Sequence, residues 1–410
     1  MPELSNKAHI MPDSPIRKLE PYAEKATKLG RKVYRLNIGQ PDISTPEISV
    51  EAIRNIHMRV VKYTHSAGNE TYRKKLATYY QHLNIPVDYS DILITTGASE
   101  AILFAFNTCL NHGDEVIIPE PFYANYNGFA ISAGIKLKPI TSSIENDFAL
   151  PSVNAFEQLI TSKTKGIMLC NPNNPTGYLY SQEEMQKIKK LIEKHDLFLF
   201  SDEVYREFCY DGHPHISAMH LKGIENNVVM IDSVSKKYSM CGFRIGSLVS
   251  KNKDMVSNAL KFAQARLSPP AFGQIAGETA LDTPQAYFDE VYHEYIGRRN
   301  FMVNALNNME GVYSPLPGGA FYTVVKLPVD DTENFAKWLL DDFHYENQTV
   351  MIAPAAGFYF TPGMGKQEAR IAYVLNIHDL KNAMQTFQEA LNVYPHRTVN
   401  QTFSSPKSNG

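Results

Sequence analysis

Apolar positions along this chain change their spacing repeatedly, and each change marks an element. Short apolar runs with β-branched residues recur in the stretches 92–97 (ILITTG), 115–120 (EVIIPE), 135–140 (IKLKPI), 166–172 (GIMLCNP), 197–205 (LFLFSDEVY) and 227–235 (NVVMIDSVS). Runs of this length and composition predict buried strands. Between them the spacing shifts to three and four residues, predicting helices over 69–83, 99–110, 123–133 and 181–196. Strands alternating with amphipathic helices predict βαβ units and a mostly parallel sheet. Such sheets collect ligands at the carboxyl ends of their strands.

Ahead of this region the pattern predicts a helix over 16–30, a strand over 33–46 broken at Gly39 and Pro41, and a helix over 46–60. Beyond about residue 284 one long amphipathic helix is predicted over 287–309. Strand-and-turn stretches at 311–327 and 349–359 follow, with helices near 333–343 and 378–394. The expected fold class is α/β: a three-layer large domain around the central sheet, and a smaller α+β domain formed by both chain ends. The expected boundaries are 1–45 for the N-terminal arm and part of the small domain, 46–285 for the large domain and 286–397 for the small C-terminal domain. The polar stretch 398–410 is expected to be a disordered tail.

Composition narrows the function. With 40 Lys+Arg against 43 Asp+Glu, the net charge of -3 offers no footprint for nucleic acid or an anionic membrane. No apolar run approaches the roughly 18 residues of a membrane span. The opening MPELSNKAHIMPDSP lacks the apolar core of a secretory leader, so a cytoplasmic location is expected. Cys109, Cys170, Cys209 and Cys241 match no metal spacing, and each lies in or beside an apolar run, which predicts four buried free thiols and no metal site.

The most informative segment is SVSKKYSMCGFRIG, 233–246, directly after an apolar strand. It offers hydroxyls at Ser233 and Ser235, an amine at Lys236 and a guanidinium at Arg244. A guanidinium's fork of donors matches phosphate oxygens. TTGASEA, 95–101, ends a strand at Gly97 and opens a helix with Ala98 and Ser99, a place where free amides meet anions. The same composition also makes an ordinary N-cap. NPNNPTG, 171–177, builds a rigid turn between strand and helix and contains Asn174. SDEVYREF, 201–208, sets Asp202 at a strand end, where a lone carboxylate is costly without a partner, and Tyr205 three positions on. Near the C-terminus ARIAYVLN, 369–376, has Arg370 opening a strand.

These motifs, in this order, resemble the class I/II aminotransferases of fold-type I, and the resemblance runs from about Ile16 to Val393. It implies pyridoxal 5'-phosphate (PLP) as cofactor, carried by Lys236 as a Schiff base. SxSK before the lysine and KxxSMxGxR after it select Lys236 over Lys237. The resemblance further implies that Gly97, Ala98, Ser99, Ser233, Ser235 and Arg244 serve the phosphate. Asp202 would hold the ring nitrogen protonated, while Asn174 and Tyr205 would reach the phenolic oxygen. Tyr123 would stack on the ring, with Phe122 the neighbour that might be confused with it. Arg370, Asn174 and the Gly39 backbone would receive the substrate α-carboxylate. Tyr63 matches a tyrosine that reaches the neighbouring subunit's phosphate, implying a homodimer with shared sites.

The activity so implied is transfer of an amino group from an L-amino acid, aspartate favoured, to a 2-oxo acid such as 2-oxoglutarate. Arg266 is the candidate for the distal carboxylate of a dicarboxylic donor. Relatives on the same scaffold act on alanine, aromatic amino acids or kynurenine. Others are carbon–sulfur lyases or aminocyclopropane-carboxylate synthases. A regulatory protein with this domain would carry a DNA-binding head, and no helix-turn-helix pattern or basic cluster stands ahead of the large domain.

Overall fold

The computed structural model describes residues 2–398. The first strand, β1, spans Lys32–Arg35. The next seven are β2 (Ile92–Thr95), β3 (Glu115–Glu120), β4 (Lys136–Thr141), β5 (Thr164–Cys170), β6 (Phe198–Asp202), β7 (Val228–Ser233) and β8 (Gly246–Val249). They form one sheet in the order β2-β8-β7-β6-β5-β3-β4. All pairings are parallel except those of β8, which runs antiparallel to both β7 and β2. The mostly parallel α/β sheet read from the sequence is therefore present.

The inner strands β5, β6 and β7 are largely apolar and buried because both faces of the sheet are covered there. Successive side chains point to opposite faces. Leu93, Met168, Phe200 and Ile231 join one core, while Ile94, Leu169, Leu199 and Met230 join the other. The helix Gln182–His195 shows how an element is closed at its start: Ser181 accepts from the Glu184 amide and the Glu184 carboxylate returns to the Ser181 amide.

After β8 come helices Lys253–Ala265, Ala271–Ala280 and Gln285–Asn307. Strands β9 (Tyr322–Lys326), β10 (Gln348–Met351), β11 (Ala353–Pro354) and β12 (Glu368–Ala372) follow, with helices Thr332–Asp341 and Ile377–Val393. β1 pairs in parallel with β10, so the N-terminal strand sits against C-terminal elements. β9, β11 and β12 form a separate three-stranded sheet in the order β11-β12-β9.

Several local expectations change. The helix expected over 46–60 ends at Arg54. Arg370 sits in the middle of β12 rather than at its start. All four cysteines are free, but only Cys170 is fully buried and the other three are half-buried. The tail expected at 398–410 lies outside the described residues from 399 onward. Among the described residues no helix is long and apolar enough to cross a membrane, and no cluster of ligating side chains could hold a metal ion.

Candidate active site

Strands β2, β3, β5, β6 and β7 share a direction, so their carboxyl ends lie along one edge of the sheet. A cavity of about 630 Å³ opens there. Its walls include Ala98 and Ser99 after β2, Tyr123 after β3, Asn174 after β5, Asp202 and Tyr205 at the end of β6, and Ser233, Ser235 and Lys236 after β7. Gly39 and Arg370 close it from the N-terminal segment and β12.

Lys236 and Lys237 both lie in the short helix Val234–Lys237, which Ser233 caps by accepting from the Ser235 amide at 3.1 Å. Ser233 donates onward to the Ile245 carbonyl at 2.8 Å. Lys236 enters the cavity half-buried, and its Nζ donates to the Gly39 carbonyl at 2.8 Å. Lys237 turns the other way, into the core, and donates to Asp232 Oδ2 at 2.9 Å. Arg206 bonds the same carboxylate at 3.0 Å. Burial would raise the Asp232 carboxyl, but Lys237 and Arg206 overcome it and hold the group at about 2. The two neighbouring lysines thus face different surroundings, Lys236 the cavity and Lys237 the core. Removing one partner of a buried ion pair costs about 3 kcal/mol or more. Lys237→Ala is therefore expected to lower the unfolding free energy by about 3 kcal/mol in urea titration.

Asp202 is buried and forms no ion pair among the described residues. Tyr126 donates to its Oδ2 at 2.7 Å and the Val204 amide to its Oδ1 at 3.3 Å. Burial, only partly offset by these donors, pushes the carboxyl up to about 6. Arg370 is the converse case. Its guanidinium is 1% exposed and meets no carboxylate among the described residues. Nη1 donates to Asn174 Oδ1 at 2.9 Å, Nη2 donates to the Asn37 carbonyl, and Nε has no partner. The rings of Tyr322 and Phe358 lie 4.5 and 4.8 Å from it. Burial pulls its pKa below the ordinary guanidinium value.

Asn174 also donates to the Tyr205 hydroxyl at 3.4 Å, and Tyr205 exchanges a 2.9 Å bond with Tyr322. One polar chain thus runs from Arg370 through Asn174 to Tyr205. At the other end Arg244 adopts a left-handed backbone (φ +56°), unfavourable for a residue with a side chain. Its guanidinium passes over Gly97, where a Cβ would stand 2.6 Å from Nη2. Gly97 itself has φ +75°, so glycine is required on both counts. At Gly39 a Cβ would overlap the Tyr322 hydroxyl, so the carbonyl that holds Lys236 depends on glycine as well.

Tyr123 lines the cavity, and burial raises its hydroxyl to about 12. Phe122 is buried in the core, which separates the two aromatic candidates. Two expected residues are not brought to the cavity. Tyr63 is 79% exposed and lies outside it. Arg266 is also outside: it pairs with Glu100 at 3.2 Å and donates to the Ser66 and Ile94 carbonyls. Its guanidinium thus meets protein groups away from the cavity. Tyr126, Tyr322 and Asn37 were not anticipated. Tyr126 carried a signal, since it lies in the same aromatic stretch three residues after Tyr123, and the two rings meet edge-on at 5.4 Å.

One cavity thus gathers the Arg244 and Arg370 guanidinium groups, the Asp202 carboxylate and the Lys236 amine. The full sequence matches the family model "Aminotransferase class I and II" over residues 31–387. The chain belongs to the class I and II aminotransferases. It is 32% identical over 394 residues to an aspartate aminotransferase of Pyrococcus horikoshii, covering 95% of this chain and 97% of that one. An aromatic-amino-acid aminotransferase of Thermococcus litoralis is 30% identical over 394 residues, covering 95% and 98% of the two chains. The fold is similar to that of the Thermus thermophilus aspartate aminotransferase solved with maleate, with a TM-score of 0.87, 26% identity and coverage of 95% and 100%. This protein is thus a transaminase, and the cofactor of its family is pyridoxal phosphate.

The donor set fits that cofactor: a carboxylate without a counter-ion suits a pyridinium, and Arg244 with the helix start at Gly97 suits a phosphate. In protein freed of cofactor, Asp202 has a pKa of about 6 against an ordinary 3.8. Between those values the native protein keeps a proton that the unfolded chain releases, so stability falls as pH rises through the window, by on the order of 3 kcal/mol in total. Asp202→Asn is expected to remove that decline from cofactor-free protein, as measured by urea unfolding at a series of pH values.

Proposed function

We propose that this transaminase takes its amino group from an L-amino acid, aspartate first, and passes it to a 2-oxo acid such as 2-oxoglutarate. The observation that carries the chemistry is the meeting of Lys236 with two buried, uncompensated charges, Asp202 and Arg370, on one cavity. Support for the donor comes from the aspartate aminotransferases of Pyrococcus horikoshii and Thermus thermophilus among the similar proteins.

In this reading the residues around the cavity divide the work. Arg370 offers planar paired donors to the substrate α-carboxylate, with Asn174 holding Nη1 and the Gly39 backbone alongside. Arg244, Ser235, Ser233 and the helix start at Gly97, Ala98 and Ser99 receive the cofactor phosphate. Asp202 would hold its ring nitrogen protonated, Asn174 and Tyr205 would donate to its phenolic oxygen, and Tyr123 would pack on its ring. The bound cofactor supplies an electron sink for the charge left at the substrate Cα. The Lys236 amine removes the Cα proton as general base and returns a proton as general acid. The Gly39 carbonyl restrains that amine, and the Tyr322 ring shields Arg370 from water.

The working form in this reading is a cytoplasmic homodimer. Met58, Val60, Val61 and Tyr63 are all more than half exposed or at that limit, at 50%, 67%, 56% and 79%. An apolar surface of this kind suits a second copy, whose cavity Tyr63 would reach. Each copy divides into a large lobe, 46–285, and a small lobe built from 1–45 and 286–397. Incubation of the holoenzyme with aspartate and 2-oxoglutarate is expected to yield oxaloacetate and glutamate in equal amounts. Release of ammonia and pyruvate from a single amino acid, with no need for an oxo acid, would point to a lyase instead.

A further inference from the structure

Four cationic side chains line the cavity: Lys236, Arg244, Arg370 and Arg17. The first three have protein partners at the Gly39, Cys241 and Asn37 carbonyls. Arg17 has none among the described residues, and its side chain is exposed at the cavity wall.

The backbone on either side of Arg17 is nevertheless held. Lys18 forms an ion pair with Glu333 at 2.6 Å. The Ile16 carbonyl accepts from Asn37 Nδ2 at 2.9 Å. Asn37 is fully buried, and its own carbonyl accepts from Arg370. One buried asparagine therefore ties the segment carrying Arg17 to the guanidinium proposed to hold the α-carboxylate. A free guanidinium on a fixed wall has the donor geometry for a second planar anion. With Arg266 paired to Glu100 outside the cavity, Arg17 is the cavity-lining cation without a protein partner among the described residues.

We infer that Arg17 is the specificity-determining residue of this transaminase, pairing with the distal carboxylate of a dicarboxylic amino acid while Arg370 holds the α-carboxylate. The inference rests on the roles proposed above for Lys236 and Arg370, and adds the class of substrate side chain.

The test compares kcat/KM of the holoenzyme for L-aspartate, L-glutamate, L-alanine and L-phenylalanine in the wild type, Arg17→Met and Arg17→Lys. In Arg17→Met the ratio of the aspartate to the alanine value is expected to fall about 100-fold, equivalent to about 2.8 kcal/mol at 1.4 kcal/mol per factor of ten. The loss is expected mainly in KM, since the distal carboxylate is bound equally in ground and transition states. Arg17→Lys is expected to recover part of the ratio, because it keeps the charge and loses the fork. An unchanged ratio, an equal loss for aspartate and alanine, or a wild type that favours alanine or phenylalanine over aspartate would overturn the inference. Absence of turnover with every donor in the wild type would instead remove the reading beneath it, and would be seen before any variant is made.

Discussion

Lys236→Ala is expected to lower transamination by on the order of 10⁴–10⁶-fold. Lys236 is the one lysine that lines the cavity among the described residues, and its amine is held by the Gly39 carbonyl at 2.8 Å. The thiol and the second lysine beside it are placed otherwise. Cys241 Sγ is 4.0 Å away and is turned to the Ser235 carbonyl at 3.1 Å. Lys237 is adjacent in sequence but is bound to Asp232 in the core. The comparison of Lys236→Ala with Lys237→Ala therefore separates chemistry from packing. The first is expected to lose turnover with its unfolding midpoint preserved, the second to lose stability. Single-turnover assays alongside urea titration check both, and wild-type turnover in Lys236→Ala would remove the catalytic assignment.

Arg370→Ala is expected to reduce kcat/KM for amino acid donors by about 10³-fold, from two charge-assisted hydrogen bonds of about 1.5–3 kcal/mol each. The guanidinium is buried, has a free Nε and faces no protein carboxylate among the described residues. Its electrostatic partner must come with the substrate. Arg370→Lys is not expected to restore the rate, because an ammonium has no planar pair of donors to offer a carboxylate. A primary amine without a carboxylate provides the control. Its slow turnover should change far less than that of an α-amino acid. Equal losses for amine and amino acid would show that Arg370 acts on the fold of the site rather than on the substrate.

Much of this architecture was legible because a doubly covered sheet demands unbroken apolar strands, and those runs stand out against amphipathic helices. What escaped was set by packing rather than by pattern. β8 begins with the small residues Gly246 and Ser247 and has only Leu248 and Val249 as apolar positions, so it leaves little trace in the sequence. The helix Ala271–Ala280 buries small residues, Gly273, Ala276, Gly277 and Ala280, instead of a large apolar stripe. The helix over 46–60 was overextended because residues 56–60 continue its apolar spacing after the backbone has left it.

The site divides in the same way. Residues within compact motifs, such as Asp202, Asn174, Lys236 and Arg370, were identified from their neighbours and meet at the cavity. Arg266 was chosen for its place in the sequence, which does not encode direction. In the fold its guanidinium faces Glu100. Tyr322 and Asn37 come from segments far apart in the chain and acquire their positions only when β9 and the segment after β1 close over Arg370.

The most direct test of the central claim is the visible absorbance of the purified holoenzyme, titrated first with a single amino acid and then with 2-oxoglutarate. Transfer through a cofactor held at Lys236 predicts loss of the visible band with aspartate alone and its return on adding the oxo acid, over repeated cycles. A band that no amino acid changes, or one that fails to return with any oxo acid, would contradict it.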